Sequence, residues 1–461
     1  MRKSKILGLV SILFVLFFSL SFDQKRYLRE KPDHVRTRRQ NILSINDGQP
    51  FRNGESRYAT DRILVKFDPT ISIQSVETAI NSYQMKKVKR IPELDIYVLE
   101  IPEQSTVEET AYAMMRNPDV AHVSLDYKIS LAAVPKPTDS HFSKQYSLFN
   151  EGQEIGFPGP RGTNRADIKA LEAWEETKGD SAVVIAVIDT GIDFDHEDLM
   201  GKTVSRGYDF VNDDNDAVDD HGHGTFVSGL VAANTNNGIG IAAVSWNSMI
   251  LPLKAVAADG SGYVSSLVDA IRYAADNGAD VISMSLGFSM GPGDSVPSLE
   301  DALVYAKSKG LVCVASAGNE GQGVLYPAAY DDYCIAVAAT DYNDTRPTWS
   351  NFGPEVDVAA PGARIIGPVP AWLFDENDYD FIPEPYGYGT GTSASAAIVA
   401  GFVALIKSLK PWMGPDDIMD VVRYSADDVN AAEYPGKDEF LGYGRIDMAK
   451  ALIPIKITGS K

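Results

Sequence analysis

The sequence predicts a larger α/β unit, with a mainly parallel central sheet and helices on both faces, preceded by a small α+β unit. Two observations predict the larger unit. From about residue 166 onward, short runs of β-branched and apolar residues alternate with helical segments, as in parallel sheets that are buried on both faces. In addition, residues 394–406 are small or apolar on all sides, which is typical of a helix buried in the middle of a domain.

Length and charge limit the possible functions. The 461 residues are too many for one ordinary core and indicate two or three units. The formal net charge is -21, although residues 1–60 contain 12 Lys and Arg against 5 Asp and Glu. The rest of the chain is therefore strongly acidic, which argues against nucleic acid as a partner. We interpret most of the carboxylates as solubilising and a few as candidate cation ligands.

The first residues have the pattern of a secretory signal. A basic start is followed by an apolar run over residues 6–20, and Ser19 and Ser21 are small residues spaced for cleavage. We predict a signal peptide over residues 1–21 and an extracellular location, with the periplasm or cell surface as alternatives. A retained anchor is the other possibility, although the run is short for a membrane span. After cleavage we expect no stable membrane anchor.

A small unit follows the signal. Residues 22–57 are basic and aperiodic, and we interpret them as a flexible linker. Residues 58–134 have the order β-α-β-β-α-β, which predicts a ferredoxin-like α+β unit. A loose, proline-containing stretch over residues 131–140 indicates a domain boundary. The predicted strands cover residues 61–67, 86–90, 96–101 and 120–125, and the predicted helices cover residues 73–83 and 107–116.

Residues 135–461 form the predicted α/β unit. In such a sheet the functional groups are expected at the carboxyl ends of the strands. Only Cys313 and Cys334 occur, so disulfides are not the framework, and the spacing leaves their pairing open. The predicted strands cover residues 182–188, 250–256, 281–284, 311–315 and 334–338, with helices over residues 225–233, 263–277 and 297–309.

Four polar residues follow predicted strands or begin predicted helices. Asp189 follows a buried strand, where a carboxylate is costly unless it is bonded or functional; capping a loop is the alternative. His223 opens an apolar helix just after His221. A zinc pair is the competing interpretation, weakened because no third ligand follows at helical spacing. Asn319 follows another strand and is also an ordinary turn residue. Ser393 stands at the start of the buried helix, where it either caps the helix or acts as a nucleophile.

Asp, His, Asn and Ser in this order supply what acyl transfer needs. A serine hydroxyl needs a base to remove its proton, the base needs an acid partner, and the tetrahedral oxyanion needs donors. The sequence closely resembles the subtilisin-like serine peptidases of the subtilase family, in particular the thermitase-like branch. The resemblance covers about residues 135–455 and implies a three-layer subtilisin-like domain. The matching segments include VIDTGID at 187–193, HGT at 223–225, SAGNEG at 316–321 and GTSASAAIVAG at 391–401.

The resemblance implies a catalytic role for each of the four residues. Asp189 would orient the base, His223 would be the general base and acid, and Ser393 would be the nucleophile. Asn319 would donate to the oxyanion together with the backbone N–H of Ser393. His221 would be a bystander.

Protein or peptide substrates are expected to bind as an added β-strand, by the same resemblance. The glycines concerned are also normal turn residues. Glu320 lies at the rim of the expected apolar primary pocket, where it either favours basic side chains or is merely solvated. The segments expected to flank the substrate are Gly260, Ser261 and Gly262 on one side and Ser285, Leu286 and Gly287 on the other.

The resemblance also implies Ca2+ as the cofactor. The loop at residues 209–216 places oxygen ligands at alternate positions, as a hard cation needs. Asn212 and Val218 depart from the pattern of relatives, and a merely acidic loop is the alternative reading. The expected ligands of this loop are Asp209, Asp214 and Asp216. A second site would use the side chains of Asp139, Asp198 and Asn237 and the backbone carbonyls of Asn234, Ile239 and Ile241.

Three features depart from the family pattern. Ala394 stands where relatives usually have Met, which removes an oxidisable sulfur beside the serine. Ala397 stands where they usually have Pro, which restores a backbone donor in the helix. Residues 371–388 form a longer, acidic surface loop to which no further role is assigned.

By the same resemblance, the small unit is an inhibitory propeptide. Its last strand would lead residues 126–133 through the active site, with cleavage between Lys128 and Ser140. We therefore predict a secreted, calcium-stabilised, monomeric serine endopeptidase that matures autocatalytically and has its own propeptide as intramolecular inhibitor. The alternatives are an inactive relative retained as a binding protein and a peptide ligase or transferase that uses the same acyl-enzyme.

Overall fold

The computed structural model describes residues 58–127, 135–156, 159–291, 293–373 and 385–452. The chain divides into two compact units, Met1–Ala132 and Ala133–Lys461. The predicted signal peptide, the predicted linker, residues 128–134 of the predicted cleavage region and most of the acidic loop lie outside the described residues.

The N-terminal unit has the predicted β-α-β-β-α-β order. Its elements are β1 (Tyr58–Phe67), α1 (Ile73–Ser82), β2 (Lys86–Ile91), β3 (Ile96–Glu100), α2 (Val107–Met115) and β4 (Val120–Tyr127). The strands form an antiparallel sheet in the order β2-β3-β1-β4. Alternate residues of β1, namely Ile63, Val65 and Phe67, are buried in its core with apolar residues of both helices. Ser72 and Thr106 cap the two helices.

The larger unit is built on a seven-stranded parallel sheet. Its strand order is β11-β10-β9-β8-β5-β7-β6, and all of these neighbours are parallel. The sheet strands are β5 (Val184–Asp189), β6 (Tyr208–Asp209), β7 (Met249–Lys254), β8 (Val281–Met284), β9 (Val312–Ser316), β10 (Cys334–Thr340) and β11 (Val358–Pro361). A separate antiparallel pair comprises β12 (Ile365–Pro368) and β13 (Tyr386–Gly389). The helices are α3 (Ala170–Glu176), α4 (His223–Ala232), α5 (Val264–Asp276), α6 (Pro297–Ser308), α7 (Thr392–Leu409), α8 (Pro415–Ser425) and α9 (Met448–Leu452).

Helices cover both faces of this sheet, which confirms the predicted three-layer class. Along β5, Ile185 and Val187 belong to the core shared with α4 and α7. Ala186 and Ile188 belong to the core shared with α5 and α6. Because successive residues of a strand point to opposite faces, an unbroken apolar run is what a sheet buried on both sides requires.

Helix α7 is the buried central helix. It is long and apolar enough to cross a membrane, but 83% of its apolar window lies inside the described fold, so it is a core helix. The helix begins at Thr392, two residues before the predicted apolar stretch. Gly391 occupies the N-cap position, and Ser393 is the second helical residue. The interpretation of Ser393 as a helix cap is therefore wrong, because the cap position is filled by a residue without a side chain.

Candidate active site

The parallel sheet collects the candidate residues at one edge. Asp189 is the last residue of β5, Ser285 directly follows β8, and Asn319 lies three residues beyond the end of β9. These strands are neighbours in the order β9-β8-β5. Carboxyl ends of adjacent parallel strands meet at one edge of a sheet, so residues far apart in sequence become neighbours there. His223 and Ser393 reach the same region from the first turns of α4 and α7.

Asp189 and His223 are joined by a short hydrogen bond. Nδ1 of His223 lies 2.8 Å from Oδ1 of Asp189, and Asp189 is buried. The same Oδ1 accepts the backbone N–H of Thr190 at 2.7 Å, which fixes the carboxylate on its own strand. With Nδ1 facing a carboxylate, the neutral imidazole carries its proton on Nδ1 and presents Nε2 as the basic atom.

The negative charges around His223 raise its pKa. Burial alone lowers the pKa of an imidazole, because it disfavours the charged form. Asp189 opposes this effect through its charge and its hydrogen bond, and Asp219 adds a further negative charge, so the pKa of His223 is raised above its ordinary value. The imidazolium that forms after proton transfer is thereby stabilised.

Ser393 is bound to the end of β8 by two reciprocal hydrogen bonds. Its Oγ donates to the carbonyl oxygen of Ser285 at 3.2 Å, and Oγ of Ser285 donates to the carbonyl oxygen of Ser393 at 2.9 Å. Ser393, His223 and Asn319 line one cavity of about 520 Å³. Catalytic hydrogen bonds are often long in substrate-free sites and tighten when substrate binds.

Asn319 is attached to the first turn of α7. Its Oδ1 accepts the backbone N–H of Thr392 at 2.8 Å and the Thr392 hydroxyl at 3.1 Å. The Thr392 hydroxyl oxygen in turn accepts the backbone N–H of Gly318 at 3.1 Å. Since Oδ1 faces the helix, the Nδ2 group of Asn319 is left to donate elsewhere. The amide is therefore fixed to Thr392, the residue directly before Ser393.

The segment 260–262 lies beside the histidines. A Cβ atom on Gly260 would lie 3.5 Å from Nε2 of His221. The rings of His221 and His223 have centroids 6.4 Å apart. Across the described ranges, no group of three or more His, Cys, Asp or Glu side chains is gathered as for a metal, and the histidine pair has no further ligand of this kind.

The segment 285–287 lies beside the serine. Ser285 is buried and bound to Ser393, and Leu286 packs against the core of the α5 and α6 face. A Cβ atom on Gly287 would lie 2.9 Å from Cβ of Leu325, so the chain passes too close there for a side chain. Of the two segments expected to flank a substrate, 285–287 therefore lies next to Ser393, and 260–262 lies next to His221, whose ring is near that of His223.

The two loops predicted to bind calcium differ in the groups that donate hydrogen bonds to their carboxylates. In the loop at 209–216, Asp209 accepts hydrogen bonds from Val211 and Asn212 of its own loop, and Asp214 accepts the backbone N–H of Asp216. Oδ1 of Asp216 accepts a hydrogen bond from Nε of Arg206 at 2.6 Å. These carboxylates already have protein partners, including a cationic one.

The second set converges on a loop at residues 234–241. Both oxygens of Asp139 accept the backbone N–H of Asn236, at 2.9 and 2.8 Å. Oδ1 of Asp198 accepts Nδ2 of Asn237 at 2.9 Å, and Oδ2 accepts the backbone N–H of Ile241 at 2.9 Å. The backbone N–H of Asn234 donates to the carbonyl oxygen of Asp198, and that of Ile239 donates to Oδ1 of Asn237. Hydrogen bonds thus link five of the six predicted residues, and Asp139 joins the same loop through Asn236.

Sequence reasoning missed Asp219 and Lys254. Lys254 is buried, and its ammonium donates to the carbonyl oxygens of Thr190 and Val256 and to Asp220. Asp219 accepts donors from the start of α4. The sequence did contain a signal for Asp219. The N-cap of α4 is Gly222, which has no side chain, so the free N–H groups of the first turn need an acceptor from elsewhere. An Asp three residues before Gly222 can supply that acceptor.

Serine peptidases are the class of enzyme in which a buried carboxylate, an imidazole and a helix-borne serine meet in one cleft. The comparisons with known proteins agree with this class. A family model described as the subtilase family matches residues 180–444. The chain belongs to the subtilase family, and it is a serine endopeptidase.

Known relatives match over most of the chain. The chain is 34% identical over 401 residues to the thermophilic serine proteinase of Bacillus sp. (strain AK1), covering 86% of this chain and 88% of that protein. It is 37% identical over 286 residues to thermitase of Thermoactinomyces vulgaris, covering 62% and 93%. A solved protease structure from Pseudoalteromonas arctica aligns with a TM-score of 0.57 and 29% identity, covering 69% of this chain and 99% of that chain.

The N-terminal unit also matches a known module. A family model described as the fervidolysin N-terminal prodomain covers residues 46–126. The chain is therefore a subtilisin-like serine protease with an N-terminal prodomain, and such a prodomain implies an intramolecular inhibitor.

Proposed function

We propose that this protein is a secreted, calcium-stabilised serine endopeptidase that hydrolyses peptide bonds through an acyl-enzyme on Ser393. The observation that carries the proposal is the 2.8 Å bond between Asp189 and His223, in the same cavity as Ser393. An inert relative has no need for a buried carboxylate aimed at the imidazole beside a serine.

The chemistry follows from the positions of these groups. Oγ of Ser393 attacks the scissile carbonyl carbon while Nε2 of His223 takes the hydroxyl proton, and His223 then gives that proton to the leaving amine. Water attacks the acyl-enzyme with His223 again as the base, which releases the acid product and restores the serine. Asp189 keeps Nδ1 protonated and stabilises the imidazolium.

The tetrahedral oxyanion needs donors that are already in place. Nδ2 of Asn319 and the backbone N–H of Ser393 are the two groups we assign to it. The hydrogen bond from Thr392 to Oδ1 of Asn319 supports this role, because it fixes the amide before substrate arrives.

Protein or peptide substrates bind as an extended strand between residues 260–262 and 285–287. The position of Gly260 beside His221 and the bond between Ser285 and Ser393 support this placement. Backbone hydrogen bonds would set the register, and pockets would select side chains.

The prodomain is the proposed inhibitor of the peptidase before maturation. We propose that residues 58–134 are the inhibitory propeptide, that residues 135–461 are the mature peptidase, and that the enzyme cleaves itself between Lys128 and Ser140. The mature enzyme is expected to be a monomer. The signal pattern over residues 1–21 supports secretion.

The residues at 139, 198 and 234–241 fit a calcium ion. Asp198 is fully buried and Asp139 nearly so. Burial raises the pKa of Asp198 to about 6, against the lowering effects of its hydrogen bonds from Ile241, Asn237 and Tyr386. Ionised carboxylates at this depth are costly, and a hard divalent cation with oxygen ligands offsets that cost. The ion would be held by the side chains of Asp139, Asp198 and Asn237 and by the carbonyls of Asn234, Ile239 and Ile241, and it would stabilise the loop.

The loop at 209–216 fits less well. Loop amides compete for the carboxylates at both sites, but calcium at 209–216 would also have to displace the Arg206 guanidinium from Asp216. We therefore assign the stabilising ion to the residues at 139, 198 and 234–241 and keep Asp209, Asp214 and Asp216 as a weaker candidate site.

The test compares the wild-type chain with Ser393→Ala. The wild-type chain should lose its N-terminal unit and become labelled at Ser393 by a serine-directed fluorophosphonate, whereas Ser393→Ala should accumulate as an unlabelled precursor. Loss of the N-terminal unit from both proteins alike would contradict self-cleavage. Failure of the wild type to be labelled would favour an inactive binding protein. Preferential product formation with added amines over hydrolysis would favour a ligase.

A further inference from the structure

We infer that Asp219, which is outside the substrate cleft, is a positioning residue that holds the backbone of His223 in register with Asp189. The inference rests on the proposed role of His223 as the base. Asp219 is 4% exposed and precedes α4 by four residues.

The Asp219 carboxylate collects five donors. Oδ1 accepts the hydroxyl of Thr190 at 2.8 Å and the backbone N–H groups of His221 and Gly222 at 3.0 and 2.8 Å. Oδ2 accepts the backbone N–H of Thr225 at 2.9 Å and its hydroxyl at 2.5 Å. The donors flank His223 on both sides in sequence, so the carboxylate restrains the peptide units around the imidazole.

Thr190 connects this cluster to Asp189. Its backbone N–H donates to Oδ1 of Asp189, and its hydroxyl oxygen accepts the backbone N–H of Gly224 at 2.8 Å. A chain of hydrogen bonds therefore runs from Asp189 through Thr190 to both neighbours of His223. Proton transfer depends steeply on such alignment, because small displacements of a catalytic group reduce the rate by large factors.

The carboxylate also has an electrostatic effect. Burial raises the pKa of Asp219, but the Thr225 hydroxyl and the backbone N–H groups outweigh it, so its pKa is lowered and the group stays ionised. Its charge adds to that of Asp189 in raising the pKa of His223. The other titratable groups nearby are His221, whose ring faces His223, and Asp220, which is paired with Lys254.

A cap with no catalytic consequence is the competing explanation, and Asp167 supplies a matched control. Asp167 is fully buried and likewise accepts backbone N–H groups, from Asn150 at 2.9 Å and Lys169 at 3.0 Å. It lies before α3 and not at the start of α4. Loss of its charge should lower stability without changing the catalytic steps.

The experiment uses the full chain, processed by itself, as wild type, Asp219→Asn and Asp167→Asn. Active serines are counted with the fluorophosphonate, and kcat, KM and the pH profile of kcat/KM are measured with a fluorogenic peptide. We expect both variants to lower Tm. Only Asp219→Asn should lower kcat per labelled serine, by about 10- to 100-fold with little change in KM, and move the acid limb of the profile to lower pH.

The inference is overturned if Asp219→Asn loses stability but keeps the wild-type kcat and acid limb. Should Asp219→Asn fail to fold, Thr225→Val removes one donor and leaves the charge. It should lower kcat by a smaller factor with the acid limb unchanged, and an unchanged kcat would contradict the inference. Absence of labelling in the wild type would instead contradict the proposed function, so the two failures are distinguishable.

Discussion

Nδ1 of His223 lies 2.8 Å from Oδ1 of Asp189, on a strand end where the carboxylate is nearly inaccessible to water. A buried anion at this distance determines which imidazole nitrogen carries the proton. It also makes the charged imidazole less costly inside the cleft.

Replacing Asp189 by Asn should leave the fold intact and nearly abolish turnover. The amide can donate to Nδ1, which moves the imidazole proton to Nε2 and removes the base. We expect kcat to fall by about 10⁴-fold. Steady-state kinetics per fluorophosphonate-labelled serine would measure this, with Asp193→Asn as a control on the same loop. A loss below tenfold would contradict the assigned role.

The pH dependence follows from the raised pKa of His223. The base must be neutral, so kcat/KM should fall as pH drops through this pKa, with the acid limb above the ordinary imidazole value. Protonation of His223 in turn favours the folded state: this stabilisation is complete below the unfolded-state pKa and disappears as pH rises through the folded-state pKa. Titration of the His223 ring by NMR would check that its folded-state pKa is raised, because the pH dependence of both kcat/KM and stability depends on that direction. An acid limb below the ordinary imidazole value would be inconsistent with the described geometry.

Asn319 has two separable functions. Its Oδ1 secures Thr392, and its Nδ2 is the proposed oxyanion donor. Asn319→Asp keeps an acceptor for Thr392 but removes the donor, so kcat should fall by about 10²- to 10³-fold, the range seen for loss of such a donor in subtilisin, while Tm changes little. Asn319→Ala should lower kcat similarly and also lower Tm. Full activity of Asn319→Asp would exclude the oxyanion role.

Calcium should stabilise the fold through Asp198 more than through Asp216. With enzyme inactivated by the phosphonate to prevent autolysis, Ca2+ at about 100 times its Kd should add about 2.7 kcal/mol to the free energy of unfolding. Tm measured in Ca2+ and in EGTA should differ for the wild type and Asp216→Asn. The difference should shrink in Asp198→Asn. An unchanged calcium response in Asp198→Asn would place the ion elsewhere.

Gly401 allows α7 to approach the chain before β7. A Cβ atom there would lie 2.7 Å from Cβ of Val244 and 3.2 Å from the carbonyl oxygen of Val231. Overpacking of this kind costs about 1–3 kcal/mol, against about 1 kcal/mol gained from helix propensity. Gly401→Ala should therefore lower the free energy of unfolding in urea. Gly323→Ala, where a Cβ atom meets nothing within 4 Å, is the control and should be near neutral.

Local patterns predicted much of this fold. The strands over residues 184–189, 281–284 and 334–340 and the helices over residues 264–276 and 297–308 lie within a few residues of their predicted bounds. They were predictable because burial on one or both faces imposes a period on the sequence itself. The helices α3, α8 and α9 were not predicted. The seven residues of α3 and the five of α9 contain too few turns to show a period, whereas the eleven residues of α8 do show one, in the buried Ile418, Met419 and Val422.

The linear pattern of residues was enough to predict most of the elements in order, the buried character of α7 and the residue types at the carboxyl edge of the sheet. The local pattern could not show that Ser393 is bonded to Ser285, that the Thr190 hydroxyl donates to Asp219, or that Lys254 is paired with Asp220. The difference comes from the sequence separation of the interacting residues. Periodicity records how a residue relates to its near neighbours, whereas a hydrogen-bond partner or a buried charge depends on segments that folding brings from far along the chain.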